Sequence, residues 1–252
     1  TVSHHYKNGN RVLKSMNDVI HGKVKSVFPI DAIGLHEDLV KIVYHDKVTA
    51  GNGRAVDYPK GKGAVCCQIS ELFFKYFQDT ILTHYVSCPK PNEMICKRVN
   101  IIPVEVVVRN IATGSIVRQT NLQEGMVFDP PLVEFYLKDD AKDDPLLTDD
   151  RVKLMGYNPM IFRRKAREIN WHFTKIFDQL DIHVVDFKLE FGEDDKGALY
   201  LADEISPDSM RLWKKSTRQR YDKDLFRKNE GDIVKAYQHI LDELRKIPWI
   251  GT

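Results

Sequence analysis

The stretch HVVDFKLEFGEDDKGALYLADEI, residues 183–205, sets what the rest of the chain has to fold around. Apolar and charged side chains alternate up to Gly192. A turn-forming Glu-Asp-Asp-Lys-Gly follows, and then a second apolar run, which predicts a β-hairpin. Side chains two apart share a face of a strand. Asp186, Lys188 and Glu190 therefore line one side of the first strand, and Val185, Phe187, Leu189 and Phe191 the other. Upstream, the β-branched run from Ile101 to Val108 ends in Asn-Ile-Ala-Thr-Gly and reads as a buried strand entering a glycine turn.

The remaining elements fall around these two. Residues 22–28 and 39–46 read as strands, and the Gly/Pro-rich stretch 49–63 as a loop. Apolar spacing predicts helices over 68–82, 161–180 and about 230–245, the last with Asn229 as N-cap and Pro248 beyond its end. Strands come first and mixed strands and helices after. This order predicts an α+β chain in two lobes: an N-terminal antiparallel, β-rich lobe over 1–99 and a larger C-terminal α/β lobe over 100–252.

A chain of 252 residues is long enough for two modest lobes sharing a cleft. A formal net charge of +2 gives no strong basic field, which argues against a nucleic-acid binder. No apolar run reaches the length of a membrane span, and the N-terminal residues have no apolar signal-peptide core. The four cysteines, Cys66, Cys67, Cys88 and Cys96, include no C-x-x-C pair, and adjacent cysteines rarely bridge. Reduced thiols and a cytoplasmic location are the expectation. There is no nucleophile-elbow, Walker or dinucleotide motif, and the histidines lack metal-pair spacing.

Several charged groups are in positions suited to phosphate chemistry. Asp203 ends the second hairpin strand within reach of Glu190 if the register is simple. Two such carboxylates repel unless a cation sits between them, as Mg²⁺ does with nucleotide phosphates. A solvated hairpin face with cross-strand ion pairs fits equally well. Lys23 and Lys25 follow Gly22 on one strand face, where a triphosphate would relieve their repulsion; solvent would too. Arg109, Ser115 and the intervening turn form a phosphate cradle or an edge arginine with a simple turn. The acidic loop 137–150 and the basic stretch 211–228 read either as solvated surface or as the rim of a cleft.

Taken together, "HGKVKSV", "TAGNG", "KGAVCCQIS", "IPVEVVVRNIATGS", "LKDDAKDDP", "VDFKLEFG", "LADEISPDSMRLW" and "DKDLFR" resemble the SAICAR synthetase (phosphoribosylaminoimidazole-succinocarboxamide synthase) family, in number, order and spacing, from about His21 to Tyr237. The resemblance implies a two-lobed fold with an ATP cleft between the lobes. It implies a purine-biosynthesis ligase joining carboxyaminoimidazole ribonucleotide (CAIR) to L-aspartate with ATP and Mg²⁺, through an acyl phosphate. By motif, Lys23 and Lys25 would hold ATP phosphates, the Cys96–Lys97 segment would pass the adenine, and Glu190 and Asp203 would bind Mg²⁺–nucleotide. Arg109, Ser115 and Arg211 would grip the ribonucleotide 5′-phosphate. Asp186 and Lys188, with Lys138, Asp140 and Asp144, would lie near the reacting carboxylate. The aspartate contacts are the least assigned, with the Ala50–Gly53 loop and the Lys60–Lys62 segment as candidates. The family tends toward homodimers. The Cys66–Cys67 pair departs from its pattern, standing where asparagines often occur. A small-molecule kinase of related fold, and a non-catalytic nucleotide-binding regulator, are the rival readings.

Overall fold

Alternation along the strands determines two large sheets, beside a two-stranded pair of Val48–Ala50 and Ala55–Asp57. The computed structural model describes residues 19–30, 38–50 and 55–248. In chain order these form β1 (Ile20–His21), β2 (Lys25–Ile30), β3 (Leu39–Tyr44), β4 (Val48–Ala50), β5 (Ala55–Asp57), α1 (Lys62–Phe77), β6 (Tyr85–Lys90), β7 (Glu93–Lys97), β8 (Asn100–Ile111), α2 (Ser115–Gln119), β9 (Val127–Leu137), β10 (Leu146–Leu147), α3 (Asp149–Leu154), α4 (Pro159–Asp178), β11 (Ile182–Glu193), β12 (Leu199–Ala202), β13 (Met210–Lys214), α5 (Asp224–Lys228) and α6 (Ile233–Arg245). Among the described residues, one antiparallel sheet runs β1-β2-β3-β7-β6. The other runs β10-β9-β8-β11-β12, with β13 also paired to β11.

In the second sheet every other side chain enters the core. Ile102, Val104, Val106 and Val108 of β8, Val133 and Phe135 of β9, and Phe187, Leu189 and Phe191 of β11 are buried. Helix α4 covers that face with Phe162, Ala166, Ile169, Phe173 and Phe177, which recur at helical spacing. Phe173 meets Phe187 at 4.9 Å between ring centroids, and Phe162 meets Phe191 at 5.6 Å. The opposite face carries Glu105 and Arg109 of β8, Glu134 and Tyr136 of β9, and Asp186, Lys188 and Glu190 of β11. An antiparallel sheet with one packed face can carry polar groups on the other, and here that face bears the charges.

The expected helices and strands need five corrections. The strand read over 22–28 runs from Lys25 to Ile30, so Lys23 precedes it and does not share a strand face with Lys25. Val185 leaves its assigned face: the β11–β13 pairing shifts between Val184 and Asp186, and this irregularity puts Val185 against Ile111 and Trp213. Helix α1 covers 62–77 rather than 68–82. Gly63 lies in its first turn, where a Cβ would come 2.7 Å from the carbonyl oxygen of Tyr44, so glycine lets the helix start pack directly on the end of β3. The expected loop 49–63 contains the short strands β4 and β5. Asn229 closes α5 in the left-handed region, at φ 53°, rather than starting α6. Asp232 caps α6, accepting from the amides of Val234 and Lys235.

The expected lobe boundary near residue 99 falls between β7 and β8, where the chain passes from one sheet to the other. One buried apolar cluster extends on both sides of it. Phe73 of α1 meets Phe173 of α4 at 5.0 Å, and α1 also packs on α6. Backbone bonds join the lobes as well: the His84 amide donates to Leu201 O at 3.1 Å, and the Leu201 amide to Leu82 O at 2.8 Å.

Candidate active site

Register assembles the polar face. β11 pairs with β8 so that Asp186 lies opposite Arg109, Lys188 opposite Val107 and Glu190 opposite Glu105. On its other edge Asp186 pairs with Arg211 of β13, and Glu190 with Ala202 of β12. Four residues of β11 thus separate an arginine end from a lysine–carboxylate end, roughly 13 Å along the strand.

At the arginine end, Arg109 is buried and fully engaged. Its Nε donates to Glu134 Oε2 at 2.6 Å, its Nη1 to Asp186 Oδ2 at 3.2 Å, and its Nη2 to Ser115 Oγ at 2.9 Å and Tyr136 OH at 3.1 Å. Arg211 Nη1 donates to the same Asp186 oxygen at 2.6 Å, and its Nε to Asp224 Oδ2 at 3.0 Å. Gly114 makes room for this guanidinium: its φ is +67°, and a Cβ would lie 2.7 Å from Arg211 Nη2. Burial pushes the Asp186 carboxyl up, against the opposing pull of Arg211 and Arg109. Asp222, whose oxygens accept the Leu212 and Asp224 amides, is pushed up to about 7 by burial and by Asp224.

At the other end lysines and acids interlock. Lys188 Nζ donates to Glu105 Oε1 at 2.6 Å and Glu190 Oε1 at 2.9 Å, and Lys138 donates to Glu190 Oε2. Lys25, at the start of β2, donates to Asp203 Oδ1 at 2.7 Å and Glu204 Oε1 at 2.9 Å. Lys23 donates to Asp140 Oδ1 at 2.5 Å in a solvent-exposed pair. Both N-terminal lysines therefore cross to the C-terminal lobe. Burial works against the Lys188 ammonium, but Glu190, Glu105 and Asp203 outweigh it and hold the group well above the ordinary lysine range. For Asp203 burial is likewise overcome, here by Lys25, Lys138 and Lys188, which keep the carboxyl below the usual range. Asp144 Oδ1 accepts the Asp139 amide at 2.9 Å, and its charge reaches Glu105.

The adenine-side candidates, Cys96 and Lys97, lie at the end of β7. The Cys96 thiol points into the N-terminal core, 3.6 Å from His84 Nε2, and its strand is paired on both sides. The Lys97 amide is taken by His84 O and that of Arg98 by Asp38 O. Lys97 Nζ donates to Tyr200 OH at 2.6 Å and Asp194 Oδ2 at 3.2 Å. The segment from Gly51 to Gly53, a candidate for aspartate contacts, lies outside the described residues. Lys62 is buried and paired with Asp208.

Sequence reasoning missed Glu105, Glu134, Tyr136 and Glu204. The first three were legible as alternation: Glu105 stands four before Arg109 in β8, and Glu134 and Tyr136 skip the core residues Val133 and Phe135. Glu204 carried no such signal. It joins the site because Asp203 takes a left-handed backbone, φ 64°, and the two neighbouring acids converge on one ammonium.

Glu105 and Glu190, whose carboxylates accept from Lys188, and Asp203, which accepts from Lys25, offer hard oxygen donors of the kind Mg²⁺ takes. Among the described residues, it is the donor atoms of Cys66, Glu204 and Asp208 that lie within 4.8 Å of one another. There Lys62 already supplies the cation, and a thiolate suits softer metals.

Comparisons with known proteins show the family. The SAICAR synthetase family model matches residues 18–244. A phosphoribosylaminoimidazole-succinocarboxamide synthase of Staphylococcus aureus is 42% identical over 237 residues, covering 92% of this chain and all of the relative. A solved SAICAR synthetase in complex with ADP superposes with a TM-score of 0.86 at 35% identity, covering 91% of this chain and 98% of that one. The enzyme of Ehrlichia chaffeensis gives 0.82 at 34% identity, over 91% and 98%. The chain belongs to the SAICAR synthetase family, the ATP-dependent ligases of purine biosynthesis.

Proposed function

We propose that this chain joins the carboxylate of CAIR to the amine of L-aspartate, with ATP and Mg²⁺, across the polar face of the larger sheet. The observation that carries the reading is the pairing on one strand, β11, of a lysine–carboxylate end with an arginine end. A carboxylate is a poor acyl donor. Its oxygen attacks the γ-phosphorus of ATP, the bond to the β–γ bridging oxygen breaks, and ADP leaves. The aspartate amine then attacks the acyl carbon, the bond to the phosphate oxygen breaks, and phosphate leaves as the amine gives up its proton. Such transfers need charge neutralisation and alignment more than a protein nucleophile.

In this reading Lys23 and Lys25 hold the ATP phosphates, and the Cys96–Lys97 segment passes the adenine. Glu190 and Asp203 hold Mg²⁺, which when bound neutralises phosphate charge. Lys188 and Lys138 fix the reacting carboxylate, with Asp140 and Asp144 at the rim. Arg211 and Ser115 take the ribonucleotide phosphate, and Arg109 orients both through Asp186 and its bond to Ser115. The cleft lies between lobes 1–99 and 100–252. The enzyme is a cytoplasmic homodimer, and light scattering on the purified chain tests the dimer.

ADP release with ATP, Mg²⁺ and CAIR, measured with and without L-aspartate, tests the activity. Aspartate-dependent ADP with a succinocarboxamide product of the expected mass supports it. ADP release indifferent to aspartate would mark a kinase or an uncoupled ATPase instead.

A further inference from the structure

Two thiols outside the site face each other. Cys67 projects from α1 and Cys88 from β6, and their sulfurs lie 3.9 Å apart. Cys67 is fully buried, whereas Cys88 is half-buried on an edge strand of its sheet. The other cysteines have different surroundings. Cys66 lies beside Lys62 and Asp208, and Cys96 beside His84. A disulfide needs its sulfurs about 2 Å apart, so closing this pair takes a movement of only about 2 Å.

We propose that Cys67 and Cys88 are a reversible thiol–disulfide modification site, closed by a small disulfide such as oxidised glutathione, and that the bond clamps α1 to β6. The hydrogen bond to Cys88 and burial both push the Cys67 thiol up, so Cys67 is the resolving partner. Cys88, the more accessible of the two, attacks as thiolate. Its sulfur bonds to one glutathione sulfur, and the glutathione S–S bond breaks with loss of one glutathione thiolate. Cys67 releases its proton to solvent and attacks the Cys88 sulfur, expelling the second glutathione thiolate. Two protein thiols are oxidised, and one glutathione disulfide is reduced to two thiols.

The test is made on the full wild-type chain, incubated with oxidised glutathione, then quenched and mapped. The expected product has lost the mass of two hydrogens, yields a Cys67–Cys88 cross-linked peptide, and reverts with dithiothreitol. The bond closes a loop between residues 21 apart, so the oxidised protein should melt roughly 5–10 °C higher. Cys67→Ser should stop at one glutathione on Cys88, and Cys88→Ser should take up none at Cys67. An unmodified wild-type chain, a mixed disulfide that persists on Cys88, or a link to Cys96 instead would overturn the proposal. A Cys67–Cys88 bond that leaves the melting temperature unchanged would overturn the clamp. These readouts are taken on the wild-type chain and do not depend on a variant folding.

Discussion

Asp203 holds a backbone conformation that L-residues other than Asn and Asp seldom adopt, φ 64°. Such strain persists where surrounding contacts over-determine it, and here Lys25 supplies them through both Asp203 and Glu204. On the proposed roles, Glu190→Gln should lower turnover at least ~100-fold, with a circular-dichroism spectrum like that of the wild type. Near-normal ADP release would remove Glu190 from the metal site. Gly114→Ala should displace the Arg211 guanidinium, since its Cβ would lie 2.7 Å from Nη2, and so affect the same end of the site as Arg211→Ala, with an added stability cost from the backbone at φ +67°. Both should raise the KM for CAIR about tenfold or more while leaving the KM for ATP nearly unchanged; a rise confined to ATP would contradict the phosphate assignment. His84 gives a pH signature. Burial lowers its pKa from 6.5 to about 4, so the unfolded chain binds a proton that the native one refuses between those values. Its contribution is complete above pH 6.5 and is lost as pH falls toward 4, up to roughly 3 kcal/mol. Asp222, pushed up to about 7, changes stability in the opposite sense over the same range, so the test is the difference between wild type and His84→Gln: in urea unfolding the wild type should lose about 2 kcal/mol more than the variant between pH 7 and pH 5.

At the scale of elements, Asp232→Ala should cost about 1 kcal/mol through loss of the α6 N-cap, a shift that thermal melts can resolve. That cap also marks what was legible in the chain. Strong periodicity placed the interiors of α4 and α6 and the hairpin of β11 and β12, because burial of one face imposes period 3.6 or 2. Ends were harder to read. Gly63 looked like loop, yet it lies in the first turn of α1, where only a residue without a Cβ fits against Tyr44. Asn229 looked like a cap, but it closes the preceding helix. For the site, the hairpin acids and Lys188 were readable from strand parity, as Glu105 and Glu134 should have been. The sharing of Asp186 Oδ2 by two arginines was not readable, since it depends on β8 and β13 both pairing with β11, far apart in sequence. Nor was the irregularity at Val185, which breaks the parity rule itself.

At the scale of the molecule, two lysines from the N-terminal lobe reach acids of the C-terminal lobe, one pair exposed and one shielded. Salt screens the first far more than the second, so raising ionic strength should loosen Lys23–Asp140 and spare Lys25–Asp203. The apolar cluster that carries Phe73 against Phe173 has a wider consequence. Melting should be a single transition by calorimetry and by circular dichroism, where separable lobes would give two. If the gene were divided at the codon for residue 99, each half expressed alone would expose the apolar surface meant for the other and aggregate. Expressed together, the halves would find each other and recover activity. On the proposed site, the two halves would then be inseparable as working parts, each completing the fold of the other.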